Sequence, residues 1–288
     1  MTFRARRDQL RSILTGTRCI RPGSVYDAIS MRIADDLGFE LGMFGGSVAS
    51  LAVLGDPDIA LITLTELAEQ VRRMSRASAL PFLVDADHGY GNALNVRRTV
   101  QELEAAGAAG LTIEDTLLPP AFGDAKTQLI SLEEGVGKMK GALDGRGDPS
   151  FVILGRTGAV SITSLDDAIA RAKAYETVGV DGLFFTGIKA RGELDAIAAA
   201  TRLPIVLGGA PEEMSDLDYL AARRVRIALQ GHAPIAAATQ AVYETLKTLR
   251  EGTPPKQLKG LASGELTARV TREAEVKARG RDMLGLKS

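Results

Sequence analysis

Along this chain, segments of mixed helical texture alternate with short, almost wholly apolar runs, and a glycine repeatedly stands between the two. The stretches 34–46, 103–115 and 175–187 share one order: helix, glycine, apolar run, then small or polar residues. A glycine just past a helix suits a left-handed C-cap. A run without polar alternation suits a strand buried on both faces, as in a parallel sheet. Read in this way, the chain predicts eight strands, near 18–21, 41–45, 82–87, 110–115, 152–156, 182–186, 205–208 and 226–230. Helical segments separate them, among them 25–37, 64–77, 95–106, 132–143, 165–178 and 235–249. Eight strands alternating with helices predict an α/β fold of the (β/α)₈, TIM-type barrel class. A doubly wound open sheet fits less well, because no G-x-G-x-x-G opens a helix after the first strand. Gly252-Thr253-Pro254-Pro255 breaks the pattern. The expected division is a barrel over 1–252 and a helical tail over 253–288, packed on its own barrel or crossing to a neighbour.

The run at 82–87 ends in two carboxylates, Asp85 and Asp87, and then in Gly89-Tyr90-Gly91. On a strand these two positions point the same way, so both acids are expected to face one space where the strand stops. Two like charges held that close are costly unless a cation or a set of donors lies between them. Oxygen-only ligands favour a hard divalent ion, Mg²⁺ or Mn²⁺, over zinc. A solvated turn with two capping aspartates is the plainer alternative.

In a barrel the working groups lie at the C-terminal ends of the strands. Those ends collect Gly45-Gly46-Ser47, Asp85 and Asp87, Glu114 and Asp115, Arg156-Thr157, and Gly231-His232. Gly45 and Gly46 let the backbone approach a ligand, and their N–H groups suit a carboxylate. Ser47 adds a hydroxyl. Asp85, Asp87 and Glu114 form the acidic side of a metal site in which one direct carboxylate and several waters would suffice for Mg²⁺. Arg156 is shaped to grip a carboxylate, and His232 can bond a bound acid or move a proton. Each has a duller role open to it: Arg156 as the buried partner of Glu114, and His232 as a packing residue. His88 reads as a supporting residue, and Tyr90 and Asn92 as lid or substrate contacts. Asp56 and Asp58 read as turn residues, with Asp58 also able to reach the waters of a metal.

Composition narrows the partners. With 35 basic and 36 acidic side chains the formal charge is −1, so electrostatics give no reason to expect nucleic acid or an anionic membrane. Hydrophobic residues make up 45% of the chain, enough for a sizeable core. The single cysteine, Cys19, excludes an internal disulfide and a Cys-rich metal site, and in its apolar run reads as an inert buried thiol. The first eight residues are polar and lack the apolar core of a secretory signal, and no apolar stretch is long enough to span a bilayer. The expectation is a cytoplasmic globular protein.

The quoted motifs resemble one family. Gly45-Gly46-Ser47, Asp85-Ala86-Asp87-His88-Gly89-Tyr90-Gly91, Ile113-Glu114-Asp115 and Arg156-Thr157 resemble the isocitrate lyase/phosphoenolpyruvate mutase superfamily, over about residues 19–249. Within it, 45–51, 85–96, 112–119 and 231–233 look most like the oxaloacetate decarboxylase subgroup. The resemblance implies Mg²⁺ or Mn²⁺, a small dicarboxylate substrate and an enolate-type intermediate. It also implies a homo-oligomer, a tetramer built as a dimer of dimers with exchanged C-terminal helices. It makes Asp85 the metal ligand, with Asp87 and Glu114 acting through water, and Gly46, Ser47, Arg156 and His232 the substrate contacts. Asp85, Arg156 and His232 would be catalytic. The implied reaction is decarboxylation of oxaloacetate to pyruvate. Cleavage or hydrolysis of another small 2-oxo or 2-hydroxy acid or of a phosphonate, and a non-catalytic dicarboxylate-binding barrel, are the alternatives. The lyases carry a Lys-Lys/Arg-Cys-Gly-His loop after strand four; here 121–128 has neither cysteine nor histidine. Two further departures are Gly158, where the superfamily usually has Asp or Asn, and Gly208-Gly209, where the decarboxylases tend to have tyrosine.

Overall fold

The structure, a computed structural model, describes residues 2–123 and 126–286. Asp124 and Ala125, inside the loop that lacks cysteine and histidine, lie outside the described residues, as do Met1, Lys287 and Ser288.

Eight strands form one sheet: β1 (Gly23–Ser24), β2 (Gly42–Phe44), β3 (Phe82–Asp85), β4 (Gly110–Glu114), β5 (Val152–Thr157), β6 (Gly182–Thr186), β7 (Ile205–Gly208) and β8 (Val225–Ala228). They are hydrogen-bonded in sequence order, every neighbouring pair parallel. Helices such as Leu64–Ala77, Ala93–Ala106, Leu132–Gly145 and Leu165–Val178 connect them. The sheet curls round until Ile20 meets β8: Ile20 N donates to Arg226 O at 2.9 Å, and Ala228 N donates to Ile20 O at 2.9 Å. The first strand thus differs from the expected 18–21. Proline has no N–H to give a ladder, and Pro22 separates the Ile20 bridge from the two residues that pair with β2.

Local chemistry explains the helix ends. Thr63 and Glu66 cap Leu64–Ala77 reciprocally, and Asn92 and Asn95 do the same for Ala93–Ala106. Gly107 and Gly179 close their helices at φ 100° and 101°, the left-handed caps that the repeat predicts.

Strand parity sorts the core into two layers. Outward residues such as Val84, Leu111, Ile113, Ile153 and Phe185 pack with Leu67, Val71, Leu103 and Met139 of the surrounding helices. Inward residues Met43, Leu83, Leu154, Phe184, Val206 and Ile227 fill the barrel. Leu10 and Leu14 of the helix Phe3–Thr15 join that inner layer, both at most 5% exposed. Each such fully buried side chain contributes roughly 1.5–3 kcal/mol. Apolar filling stops below the C-terminal strand ends, where the inward positions turn polar.

The chain divides into two compact units, Met1–His232 and Ala233–Ser288. The second contains the helices Ala233–Arg250, Gly264–Val270 and Glu273–Leu284. Among the described residues no helix is long and apolar enough to cross a membrane.

Candidate active site

The inward parity that buries Leu83 and Leu154 lower down places Asp85, Thr112, Glu114, Arg156 and Phe184 side by side at the upper rim. Asp85, the last residue of β3, is 8% exposed. Its Oδ1 accepts from Thr112 Oγ1 at 2.8 Å and from Asp87 N–H at 3.3 Å, and its Oδ2 accepts from Arg156 Nη1. Arg156 Nη2 lies 3.2 Å from Glu114 Oε2, and the guanidinium stands 5.3 Å above the Phe184 ring. Arg156 Nε, though buried, finds no hydrogen-bond partner.

Asp87 reaches this cluster by a different route from the expected one. The strand ends at Asp85, and Asp87 adopts φ 47° in the turn that follows. Its carbonyl still accepts Glu114 N–H at 2.8 Å, which ties the turn to β4. The side chain is buried, and its Oδ2 has no partner. Burial, followed by repulsion from Asp85, Glu114 and Asp58, pushes the Asp87 carboxyl well above the usual carboxylate range. Burial also raises Glu114 to about 7, against the pull of Arg156 and with a push from Asp85. Asp58 is raised by burial and by Asp85. Four carboxyl groups therefore gather around one guanidinium.

These groups lie at a cavity of about 270 Å³ in the barrel mouth, lined among others by Ser24, Ser47, Asp58, Asp85, Arg156 and His232. Of the residues expected at the site, Ser47, Asp85, Arg156 and His232 face the cavity. Gly46, Asp87 and Glu114 stand behind that lining. Gly46 backs directly onto Asp87: a Cβ there would lie 2.8 Å from Asp87 Cγ, so the close approach needs glycine. Gly46 and Ser47 open a short helix, Gly46–Ala49, whose first N–H groups have no partner within the helix. His232 Nδ1 lies 3.0 Å from Ser24 Oγ, and burial lowers the ring's proton affinity against the opposing pull of Asp85 and Asp58.

Some expected neighbours are elsewhere. Asp115 and Thr157 point outward from their strands. Asp115 accepts from Tyr175 Oη at 2.8 Å and Arg171 Nη1 at 3.0 Å, a junction of β4 with the helix Leu165–Val178. Glu114 and Asp115 are adjacent, and alternation sends only one of them inward. His88 is buried and held down to about 4 by burial and by nearby Lys138, whose Nζ donates to the His88 carbonyl at 2.8 Å. Sequence reasoning passed over Ser24, Thr112 and Phe184. Parity with Asp85 and Arg156 was the available signal for the last two.

The donor set fits a hard cation. Carboxyl groups outnumber the guanidinium, the buried Asp87 Oδ2 is unpartnered, and the carboxylate oxygens outnumber the one imidazole, His232, at the cavity. Among the described residues no three His, Cys, Asp or Glu side chains are grouped as a ready set of metal ligands. An ion with few direct protein bonds and a shell completed by water suits such a site.

The chain is similar to known proteins in both sequence and fold. Residues 10–250 match the family model described as phosphoenolpyruvate phosphomutase. A relative from Bradyrhizobium sp. (strain ORS 278), named oxaloacetate decarboxylase, is 82% identical over 288 residues, covering 100% of both chains. The fold is similar to that of a phosphonopyruvate hydrolase solved with oxalate and Mg²⁺, with a TM-score of 0.86 and 26% identity over 97% of this chain and 99% of that one. It is also similar to an oxaloacetate acetylhydrolase solved with the inhibitor 3,3-difluorooxalacetate, with a TM-score of 0.84 and 26% identity over 99% of each chain.

Proposed function

The chain belongs to the phosphoenolpyruvate phosphomutase family, and we propose that it decarboxylates oxaloacetate to pyruvate and CO₂ at the cavity bounded by Asp85, Arg156 and His232. One observation carries the site assignment: Asp85, Asp87 and Glu114 are buried around a single guanidinium, with the exposed Asp58 at the cavity edge, and Asp87 Oδ2 is left without any partner. The relative named oxaloacetate decarboxylase, 82% identical over the whole of both chains, supports the reaction.

In this reading Asp85 would hold Mg²⁺ or Mn²⁺, and Asp87 and Glu114 would bond its waters. The ion, when bound, stabilises the negative charge that grows on the keto oxygen as CO₂ departs. The protein's own groups do the rest. Arg156, backed by the Phe184 ring, grips a substrate carboxylate. The Gly46 and Ser47 N–H groups and the Ser47 hydroxyl bind a carboxylate from the opposite strand end. Inward-facing Thr112 holds Asp85 Oδ1 at 2.8 Å and so fixes the plane of that carboxylate. The bond from C3 to the departing carboxylate breaks, its electron pair passes into the enolate, and a proton delivered by water or His232 to C3 completes pyruvate. The fit to a carbon–carbon lyase is poorer, because loop 121–128 has no cysteine or histidine to serve as proton donor. A cytoplasmic location and a homotetramer built as a dimer of dimers go with the decarboxylase reading.

The test is pyruvate formation from oxaloacetate by coupled assay, with Mg²⁺ and with excess chelator. The Asp85→Ala protein is the blank, since free Mg²⁺ itself promotes the reaction. Turnover well above the blank, abolished by chelator, is expected. Equal rates in the two proteins would refute the assignment.

A further inference from the structure

His232 is held from two sides. Ser24, the last residue of β1, places its hydroxyl 3.0 Å from Nδ1. Gly45 presents a bare Cα to the other edge of the ring: a Cβ there would lie 2.8 Å from Cε1 and 3.0 Å from Nε2. With Nδ1 occupied, Nε2 is the nitrogen left to serve the cavity.

We propose that Ser24 is a positioning residue that donates its hydroxyl proton to Nδ1, so that neutral His232 carries its hydrogen on Nε2 and offers it to a substrate carboxylate. This deepens the decarboxylase reading and rests on it for the identity of the ligand. Electrostatics select the direction of the bond. A serine hydroxyl can donate or accept. If Nδ1–H donated to Ser24, the Nε2 lone pair would face a cavity lined by Asp58 and Asp85 and destined to hold an anion. The opposite tautomer presents N–H to those charges. The partner on one imidazole nitrogen in this way sets the role of the other. Burial disfavours the charged ring, with Asp85 and Asp58 as the charged groups opposing it, and between the two neutral forms the hydroxyl decides. Gly45 is the shape requirement that goes with it, since a methyl group there would drive the ring off Ser24.

The chain has two histidines, His88 and His232, so ¹⁵N-histidine labelling yields two ring systems, assigned with the His232→Gln protein. In the Mg²⁺-loaded wild type, the His232 ring should show a protonated Nε2 and an unprotonated, hydrogen-bonded Nδ1. In Ser24→Ala the ring should become a mixture of tautomers, and oxalate, used as the anion probe, should bind about 10-fold more weakly. Ser24→Thr should restore both. For turnover, Ser24→Ala should raise KM for oxaloacetate more than it lowers kcat. A wild-type ring protonated on Nδ1, or a Ser24→Ala protein with wild-type tautomer and oxalate affinity, would overturn the proposal. The spectrum requires no turnover, so an inactive wild type would refute the decarboxylase reading without touching the tautomer assignment.

Discussion

Glu114, the last residue of β4, and Asp115, which follows it, are adjacent buried acids, each set against an arginine, and they do opposite work. On the outer face, Arg171 is fully engaged: Nε bonds Asp167 at 3.0 Å, Nη1 bonds Asp115 at 3.0 Å, and Nη2 donates to the Ile130 carbonyl at 3.0 Å. Tyr175 adds a further donor to Asp115. On the inner face, Arg156 must serve Asp85 and Glu114 with Asp58 and Asp87 close by, and its own Nε goes unused. The outer cluster joins strand to helix with its guanidinium saturated. Asp115 Oδ1, like Asp87 Oδ2, is buried without a partner, but the inner cluster sets four carboxyl groups against one guanidinium where the outer sets two, Asp115 and Asp167. Such imbalance costs stability, and it persists where a ligand resolves it.

The comparison breaks most sharply on activity. Asp85→Ala should lower kcat/KM for oxaloacetate by about 10³-fold or more, with no loss in melting temperature, because a charge leaves a crowded site. Arg171→Ala should do the reverse. Stranding Asp115 without its cation should cost about 3–5 kcal/mol, seen as a lower urea midpoint, while kcat per folded molecule stays at the wild-type value. If Arg171→Ala instead spared stability and removed activity, the two faces would have been assigned the wrong way round.

A smaller effect follows from pH. Glu114 titrates near 7 in the folded chain, above its ordinary value, and Asp87 is raised further by burial and by its acidic neighbours. A carboxyl whose folded value is raised supports stability below its ordinary value and loses that support as pH rises through the folded one. The metal-stripped protein should therefore melt progressively lower between about pH 4.5 and 7. Adding Mg²⁺ should flatten this slope, because the bound cation favours the ionised acids. Parallel melting curves with and without Mg²⁺ over that range would count against a cation at the mouth.

Most of the barrel was legible in the chain because its signal is strong: apolar runs of strand length, each bounded by a helix and a glycine. β6 and β7 fall where the pattern puts them, at Gly182–Thr186 and Ile205–Gly208. β1 was harder to read because Pro22 splits it, and its displacement to Gly23–Ser24 hid the serine that meets His232. The helix Phe3–Thr15 was also hidden. The chain's first eight residues read only as polar, yet Arg6 and Arg7 are buried, Arg6 donating to the Ser75 carbonyl and Arg7 to that of Glu104. At the site, residue types announced Asp85, Arg156 and His232. Phe184 and Thr112 have no chemistry of their own to announce, and only their parity on neighbouring strands reveals them. Asp115 was drawn to the mouth by its proximity in sequence, which alternation then reverses.

The most direct test pairs the two faces in one measurement: the shift in melting temperature on adding Mg²⁺ to Asp87→Asn and to Asp115→Asn, at pH 8. For Asp87→Asn, the expected result is a metal-free protein at least as stable as the wild type, with most of the Mg²⁺-induced gain lost. Asp115→Asn should melt lower without metal and keep the full gain. A full Mg²⁺ response in Asp87→Asn, or its loss in Asp115→Asn, would contradict the claim that the unbalanced charge at the mouth is a cation site.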